Sequence, residues 1–208
     1  MKKIIALLMC LSLIAMPALA EFDEEALRVD QELYSSFRLP VSADMVYRPV
    51  NQPYIGQVDE IYDGELVVYV EYITMLDAHA TVIRLMASTV VFDDPLGADA
   101  LRLTIGGKTY TLTVSREESE YDGLYMEDYT TVLVGEGLNM LKAIAQQKKD
   151  APVPVELLCL DEVVFSGLVI IPGEEAAGIY DRWIDLGGKK QALKTLEEAW
   201  PCTVQKVK

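Results

Sequence analysis

The pair Gly106-Gly107 restricts the fold more than any other feature of the chain, because it separates two runs, LRLTI and KTYTLTV, that alternate apolar and polar residues. Two glycines supply the positive φ angles of a two-residue β-hairpin turn. Such a turn fixes the register and places Leu103 beside Tyr110. One face of this hairpin is then apolar and the other polar, so we predict that its apolar face covers a core.

Other strand signals surround this hairpin. Residues 65–75 and 81–92 are dense in β-branched and aromatic side chains and predict a second, longer hairpin. Residues 129–134 are also predicted as a strand. A third pair of strands, 153–160 and 163–171, is predicted around a turn at Asp161-Glu162. Because both faces of that pair are apolar, we expect it to be covered on both sides.

Helical periodicity predicts helices over residues 22–37, 136–149, 172–184 and 189–200. Prolines punctuate residues 38–56, which are predicted to form an extended connection that avoids central-strand pairing. The chain is therefore predicted to be an α+β protein. An antiparallel β-sheet or sandwich forms its core, helices near the C-terminus cover that core, and an N-terminal helix precedes it.

The first twenty residues predict a secretory signal peptide, because a basic start and an apolar run end in Ala18-Leu19-Ala20. The apolar run is shorter than the roughly 20 residues that span a bilayer, so no membrane insertion is expected after cleavage. We expect export to the periplasm, the cell envelope or the extracellular medium. Residues 21–56 would then form the N-terminal helix and connection, and residues 57–208 the main α+β domain.

The net charge of −15 excludes some partners and favours others. Such an excess of acids repels nucleic acids and anionic lipid, and it favours a basic protein or peptide. Cys159 and Cys202 are the cysteines left after leader cleavage, and in an oxidising compartment a disulfide between them and a pair of free thiols are both compatible with the sequence. A zinc site is not predicted, because one histidine and two distant cysteines match no ligand spacing.

The densest charge lies in residues 115–129, SREESEYDGLYMEDY, where tyrosines alternate with acids. Three interpretations remain: a calcium-binding loop, a solvated connection and a contact surface for a basic partner. The ordered residue pattern of a calcium-binding loop is absent. Calcium is nevertheless the one cofactor that we consider, because the carboxylates of this stretch could serve as its oxygen ligands. Tyrosines are enriched in interfaces. The candidate binding residues are Glu117, Glu118, Glu120, Tyr121, Asp122 and Tyr125.

No catalytic residue is assigned from the sequence. The single histidine, His79, follows Asp77 in a predicted turn, but no nucleophile signature accompanies it. Trp183 and Trp200 lie in predicted amphipathic helices and are expected to pack on the sheet. The leading hypothesis is therefore a secreted or cell-envelope, non-catalytic binding or interaction protein. The alternative is a secreted hydrolase that uses acidic residues, such as a glycosidase-type carboxylate pair.

Overall fold

The computed structural model describes residues 34–38, 45–49, 66–75, 80–92, 94–121, 123–148, 151–187 and 194–207. Eleven strands lie within these residues: β1 Tyr34–Arg38, β2 Met45–Pro49, β3 Leu66–Met75, β4 Ala80–Phe92, β5 Ala100–Ile105, β6 Lys108–Thr113, β7 Ser115–Tyr121, β8 Leu124–Val132, β9 Pro152–Cys159, β10 Glu162–Ile170 and β11 Cys202–Lys206. Three helices accompany them: α1 Glu136–Ala145, α2 Gly173–Asp185 and α3 Lys194–Ala199.

The strands form two antiparallel sheets. Sheet A has the order β1-β2-β3-β4-β8-β7, and sheet B has the order β10-β9-β5-β6-β11. The described part of the chain is therefore mostly β with some helix, which agrees with the predicted α+β class. Within that part, no helix is long and apolar enough to cross a membrane.

A single large core joins the two sheets through two helices and through a direct contact between β10 and β3. Helix α2 contacts β3 and β4 of sheet A, helix α1 contacts β5, β6 and β11 of sheet B, and the two helices pack on each other. Val70 and Leu85 enter this core from sheet A, and Leu103 enters it from sheet B. Met140 and Ile179 bring the apolar stripes of the helices into the same cluster. The helices therefore cover the inner faces of both sheets.

The two predicted hairpins are confirmed. Gly106 and Gly107 have φ angles of 57° and 74°, and Leu103 pairs with Tyr110 as the turn requires. Leu103 and Tyr110 are both buried, whereas Arg102 is half-buried on the opposite face. Strands β3 and β4 pair antiparallel along the whole length of β3.

The prediction of a helix over residues 22–37 is wrong for its last four residues, which belong to strand β1. Pairing of β1 with β2, and of β2 with β3, outweighs a weak helical periodicity. The expectation that prolines keep residues 38–56 out of central pairing is also wrong. Pro49 is compatible with the sheet because β2 pairs with β3 only from Met45 to Tyr47. The preceding residues 22–33 and the predicted boundaries at residues 20 and 56 lie outside the described residues.

Strand β10 corrects the prediction that the strands 153–160 and 163–171 are covered on both sides. It lies at the end of sheet B, and Leu168 on its outer face is exposed. The register shifts between Val163 and Phe165, so Leu168 pairs with Pro154 on the outer face. The turn also moves by one residue, since Leu160 and Asp161 are the residues with positive φ angles.

The C-terminal third follows the predicted helices in part. Helix α2 begins after Pro172 and ends before Gly187, which has a φ angle of 77°. Helix α1 ends at Ala145, earlier than predicted. Strand β11, which pairs with β6, was not predicted, because its five residues are too short to show a strand period.

The two cysteines are free thiols, and the disulfide between Cys159 and Cys202 is contradicted. Cys159 ends β9 and Cys202 begins β11, with β5 and β6 between these strands. Three strand spacings amount to about 14 Å. A disulfide requires Cα atoms within about 7 Å, so this sheet order keeps the two thiols too far apart for a bridge.

A single residue carries the chain from sheet B to sheet A. Strand β6 ends at Thr113 and β7 begins at Ser115, so Val114 alone forms the corner. The Val114 N–H donates to the carbonyl oxygen of Asp99 at 3.0 Å. Corners of this kind are made where one strand leaves one sheet and enters the next.

Candidate functional site

The acidic stretch 115–129 forms a β-hairpin, not a loop. Strands β7 and β8 pair antiparallel along the whole of β7, and β8 continues the sheet by pairing with β4. Gly123 lies in the turn with a φ angle of 77°. The interpretation as a solvated connection is therefore wrong for these residues. The stretch is the acidic edge of sheet A, and we use the name "acidic edge" for β7 together with its partner residues on β8.

The structure brings most of the predicted binding residues together on this edge. Glu117, Glu118 and Glu120 are exposed on β7, and the half-buried Tyr125 lies opposite Glu120 on β8. Tyr121 is the last residue of β7. Asp122 lies outside the described residues. Strand alternation places Glu117 on one face of the sheet and Glu118 and Glu120 on the other.

The electrostatic environment of the acidic edge is negative. The charge of Glu120 raises the pKa of Tyr125, with smaller contributions from burial, Asp94 and Glu118. Arg116 is the one cation in this stretch, and its Nη1 lies 3.1 Å from Glu127 and 3.4 Å from Glu118. Its charge is therefore compensated within the hairpin, and the other carboxylates remain available to an external cation.

Glu127 has a structural role that the sequence did not reveal. Its side chain is fully buried, and its carboxylate accepts hydrogen bonds from the N–H groups of Leu96 at 2.7 Å and Gly97 at 3.0 Å. Arg116 donates a third hydrogen bond at 3.1 Å. Three donors satisfy a buried carboxylate, so Glu127 ties the segment after β4 to β8. The alternation of β8 turns Glu127 and Tyr129 to the inner face, but the sequence predicted a strand only from Tyr129 onward.

Gly97 allows the Arg116 side chain to approach this segment. The glycine has a φ angle of 65°, and a Cβ atom there would lie 3.0 Å from Arg116 Nη1. Any other residue would therefore be strained by its backbone angle, and the Arg116 guanidinium would have to shift to make room for its Cβ atom. This glycine belongs to the support of the acidic edge.

Tyr129 lies beside Glu127 on the same inner face and is fully buried. Burial, and then the negative charge of Glu127, raise the pKa of the Tyr129 phenol far above its ordinary value. The phenol therefore stays protonated at any physiological pH. On the outer face of β8, Asp128 accepts a hydrogen bond from the Ser88 hydroxyl. Tyr129 and Asp128 therefore belong to the part of the hairpin that packs against the rest of the protein.

A surface cavity of about 430 Å³ lies where α1, α3 and β11 meet. Glu136, Glu197 and the half-buried Trp200 line it, together with Cys202. Burial, and then the charge of Glu136, raise the pKa of the Cys202 thiol to about 11. The thiol is thus protonated near neutral pH and is a poor nucleophile.

The other tryptophan, Trp183, has the packing role that the sequence predicted. It is buried in the main core, and its Nε1–H donates to the Thr81 carbonyl at 2.9 Å.

A second cavity, of about 470 Å³, lies on the polar face of sheet B. An ion pair between Arg102 and Glu156 at 2.9 Å forms part of its wall.

Within the described ranges, no group of three or more His, Cys, Asp or Glu side chains is placed to hold a metal ion. His79 and Asp77 lie outside those ranges. No family model matches the chain, and no curated protein or solved structure is significantly similar to it.

Proposed function

We propose that this chain is an exported, non-catalytic binding protein that recognises an extended basic segment of a partner protein or peptide at its acidic edge. The observation that carries the proposal is a sheet edge with exposed carboxylates on both faces, Glu117 on one and Glu120 on the other, beside Glu118, which pairs with Arg116. Strand β7 is the last strand of sheet A, and within the described residues only β8 pairs with it. Its outward backbone groups can therefore accept an added strand.

A basic strand would fit this edge in both backbone and charge. Side chains of an added strand alternate between the two faces, so cationic residues on each face would meet a carboxylate. The overall charge of −15 would also attract such a segment from a distance. Tyr125 offers an aromatic surface beside Glu120 for contact after encounter.

Charged side chains also protect sheet edges against association with other strands. Protection of this kind is a simpler explanation of the β7 carboxylates than recognition of a partner. The two roles differ in one measurable property. A protective edge repels other strands whatever their charge, whereas a recognition edge binds a basic strand and rejects an acidic strand. A pair of synthetic octapeptides, one alternating Lys with Val and one alternating Glu with Val, therefore separates the two roles.

Isothermal titration calorimetry with these peptides tests the proposal. We expect binding of the Lys-Val peptide only, weakened at least about tenfold when salt rises from about 0.05 M to about 0.5 M. Neutralising the edge with Glu117→Gln, Glu118→Gln and Glu120→Gln should abolish binding. The matched control removes the same charge elsewhere, through Asp161→Asn, Glu162→Gln and Glu174→Gln, which are exposed residues outside the hairpin. Equal loss in both triple variants, or no binding by the wild type, would contradict the proposal.

Proline substitution tests whether the backbone edge itself is used. Successive N–H groups of a strand point to opposite sides, so of Glu118→Pro and Ser119→Pro one removes a bond to β8 and the other removes an outward donor. We expect the outward variant to keep the fold and lose peptide binding. Calcium should be titrated in the same experiment. Tight calcium binding at this edge would indicate a metal site and would contradict the proposal of peptide recognition.

A second candidate function, hydrolysis by a carboxylate pair, is supported by the cavity that Glu136, Glu197 and Trp200 line together. Two carboxylates beside an aromatic ring are the elements of a glycosidase site. Turnover of chromogenic glycosides by the wild type, lost in Glu136→Gln or Glu197→Gln, would favour this function. An inactive wild type, or activity unchanged in both variants, would remove it.

Export is part of the proposed function, because a free extracellular or envelope location would expose the acidic edge to basic partners. The basic start, the apolar run and the Ala18-Leu19-Ala20 exit support it. Intact-mass measurement of the exported protein should give an N-terminus at Glu21. Any other N-terminus, or a retained leader, would contradict this part of the proposal.

A further inference from the structure

We infer that β10 is a self-association edge, on which a second copy of this chain adds its own β10 in antiparallel orientation. Strand β10 is the last strand of sheet B and within the described residues pairs only with β9. Large apolar side chains in and beside it are open to solvent: Leu160 81%, Leu168 70%, Val163 48%, Ile170 39% and Val164 37% exposed. An edge strand with such side chains is a template for pairing with another strand.

The protections of an edge strand are confined to the first residues of β10, where Glu162 is charged and the register shifts between Val163 and Phe165. Strand β10 is nine residues long, and after Glu162 its remaining residues include no charged residue and no proline. Natural edges are generally short, charged or broken by proline, as β7 is charged in sheet A. Exposed apolar area that lacks such protection is typical of an interface.

The strand that pairs with β10 can be inferred by comparing the strands at the ends of the two sheets. A long, β-prone strand with a charge-free centre and an open edge of its own would fit, as β10 has after Glu162, and the described sheets end in four strands: β1, β7, β10 and β11. The edge β7 is acidic, β1 contains Arg38, and β11 has five residues and ends in Lys206. Among these four strands, β10 is the best complement to itself.

The charge of the molecule limits where two copies can meet. Two copies with a charge of −15 each repel at long range, so a contact between them is favoured where carboxylates are few. Antiparallel pairing of identical strands is two-fold symmetric and closes after two copies. Salt should strengthen this association by screening the repulsion, whereas it should weaken binding of a basic peptide at the acidic edge. The inference is thus independent of the proposed function.

The centre of the strand sets the geometry of the pair. Ser166 is the middle residue of β10 and is exposed on the same outer face as Leu168. A two-fold axis at Ser166 places the two Ser166 residues opposite each other and sets Leu168 beside Val164 of the second copy. Residues directly opposite in an antiparallel pair have Cβ atoms about 5 Å apart.

Disulfide trapping tests this geometry directly. In a background with Cys159→Ser and Cys202→Ser, Ser166→Cys should form a covalent dimer on mild oxidation, because directly opposite cysteines lie within bridging distance. The matched control is Thr113→Cys, an exposed position on the interior strand β6 of the same sheet. We expect a dominant dimer band for the first variant and little for the second. Equal cross-linking at both positions would overturn the inference.

Sedimentation equilibrium gives the second measurement on the native chain. The wild type should show a monomer–dimer equilibrium that strengthens when salt rises from about 0.05 M to about 0.5 M. Leu168→Lys should raise the dissociation constant at least about tenfold while Thr113→Lys leaves it within about twofold. Leu168 is largely exposed, so its variant should keep the circular dichroism spectrum and melting temperature of the wild type. A monomer at all concentrations, or species larger than a dimer, would overturn the inference.

Discussion

Glu175 should make the stability of the fold depend on pH near neutrality. It lies in the first turn of α2 and is half-buried, and its Oε2 atom is buried without a hydrogen-bond partner. Burial raises the pKa of this carboxyl from 4.5 to about 7. An ionised carboxylate is disfavoured there because burial removes part of its hydration and its Oε2 atom has no hydrogen-bond donor.

The sign follows from the raised pKa of the folded state. Well below pH 4.5 the carboxyl is protonated in both the folded and the unfolded chain, and its burial then does not lower the free energy of unfolding. Between pH 4.5 and about 7 only the unfolded chain ionises, so the free energy of unfolding falls as pH rises, and above pH 7 the loss is complete. The upper bound from the two pKa values is about 3 kcal/mol. Because the carboxyl is only half-buried, solvent screening reduces this to about 1 to 2 kcal/mol.

Urea unfolding of Glu175→Gln across this pH range measures the effect. Relative to wild type, the variant should gain about 1 to 2 kcal/mol at pH 8 and less than about 0.5 kcal/mol at pH 4.5. The control Glu174→Gln removes the same charge from the same helix turn at an exposed position. A gain that is independent of pH, or that Glu174→Gln reproduces, would refute the reasoning from burial.

Three further predictions concern the support of the fold. Gly97→Ala should destabilise by about 2 kcal/mol in urea unfolding, more than Gly123→Ala, since both glycines have positive φ but only Gly97 would place a Cβ near another side chain. Trp183→Phe should cost about 1 to 2 kcal/mol through the loss of its buried hydrogen bond to the Thr81 carbonyl, whereas Trp200→Phe, at a cavity wall, should cost less. Thiol titration of the denatured, unreduced protein should find Cys159 and Cys202 both free, and reductant should leave the melting temperature unchanged; a single shared disulfide would contradict the strand order of sheet B.

The parts of the fold that local chemistry controls could be predicted from the sequence. The register at Gly106-Gly107 follows from two glycines and the alternation around them. The start of α2 after Pro172 and its end before Gly187 follow from helix-end chemistry. In both cases the decisive residues lie within a few positions of each other.

Features that depend on distant partners could not be predicted. Strand β1 forms because β2 lies beside it, and β2 lies there because β3 does. Glu127 is buried because the amides of Leu96 and Gly97, about thirty residues earlier, point at its carboxylate. Of the acidic stretch, the sequence predicted the exposed carboxylates of the candidate site, but it could not show which carboxylate faces inward. The open edge of β10 is likewise a property of strand order, which no local pattern encodes.

The corner at Val114 has a dynamic consequence for binding at the acidic edge. Because one residue separates β6 from β7, the two sheets share a continuous backbone there and cannot swing apart like two domains. A strand that docks on β7 would restrain that backbone directly, and β6 continues it between β5 and β11. Peptide binding should therefore slow amide hydrogen exchange at Leu112 and Tyr110, in the sheet that the ligand does not touch.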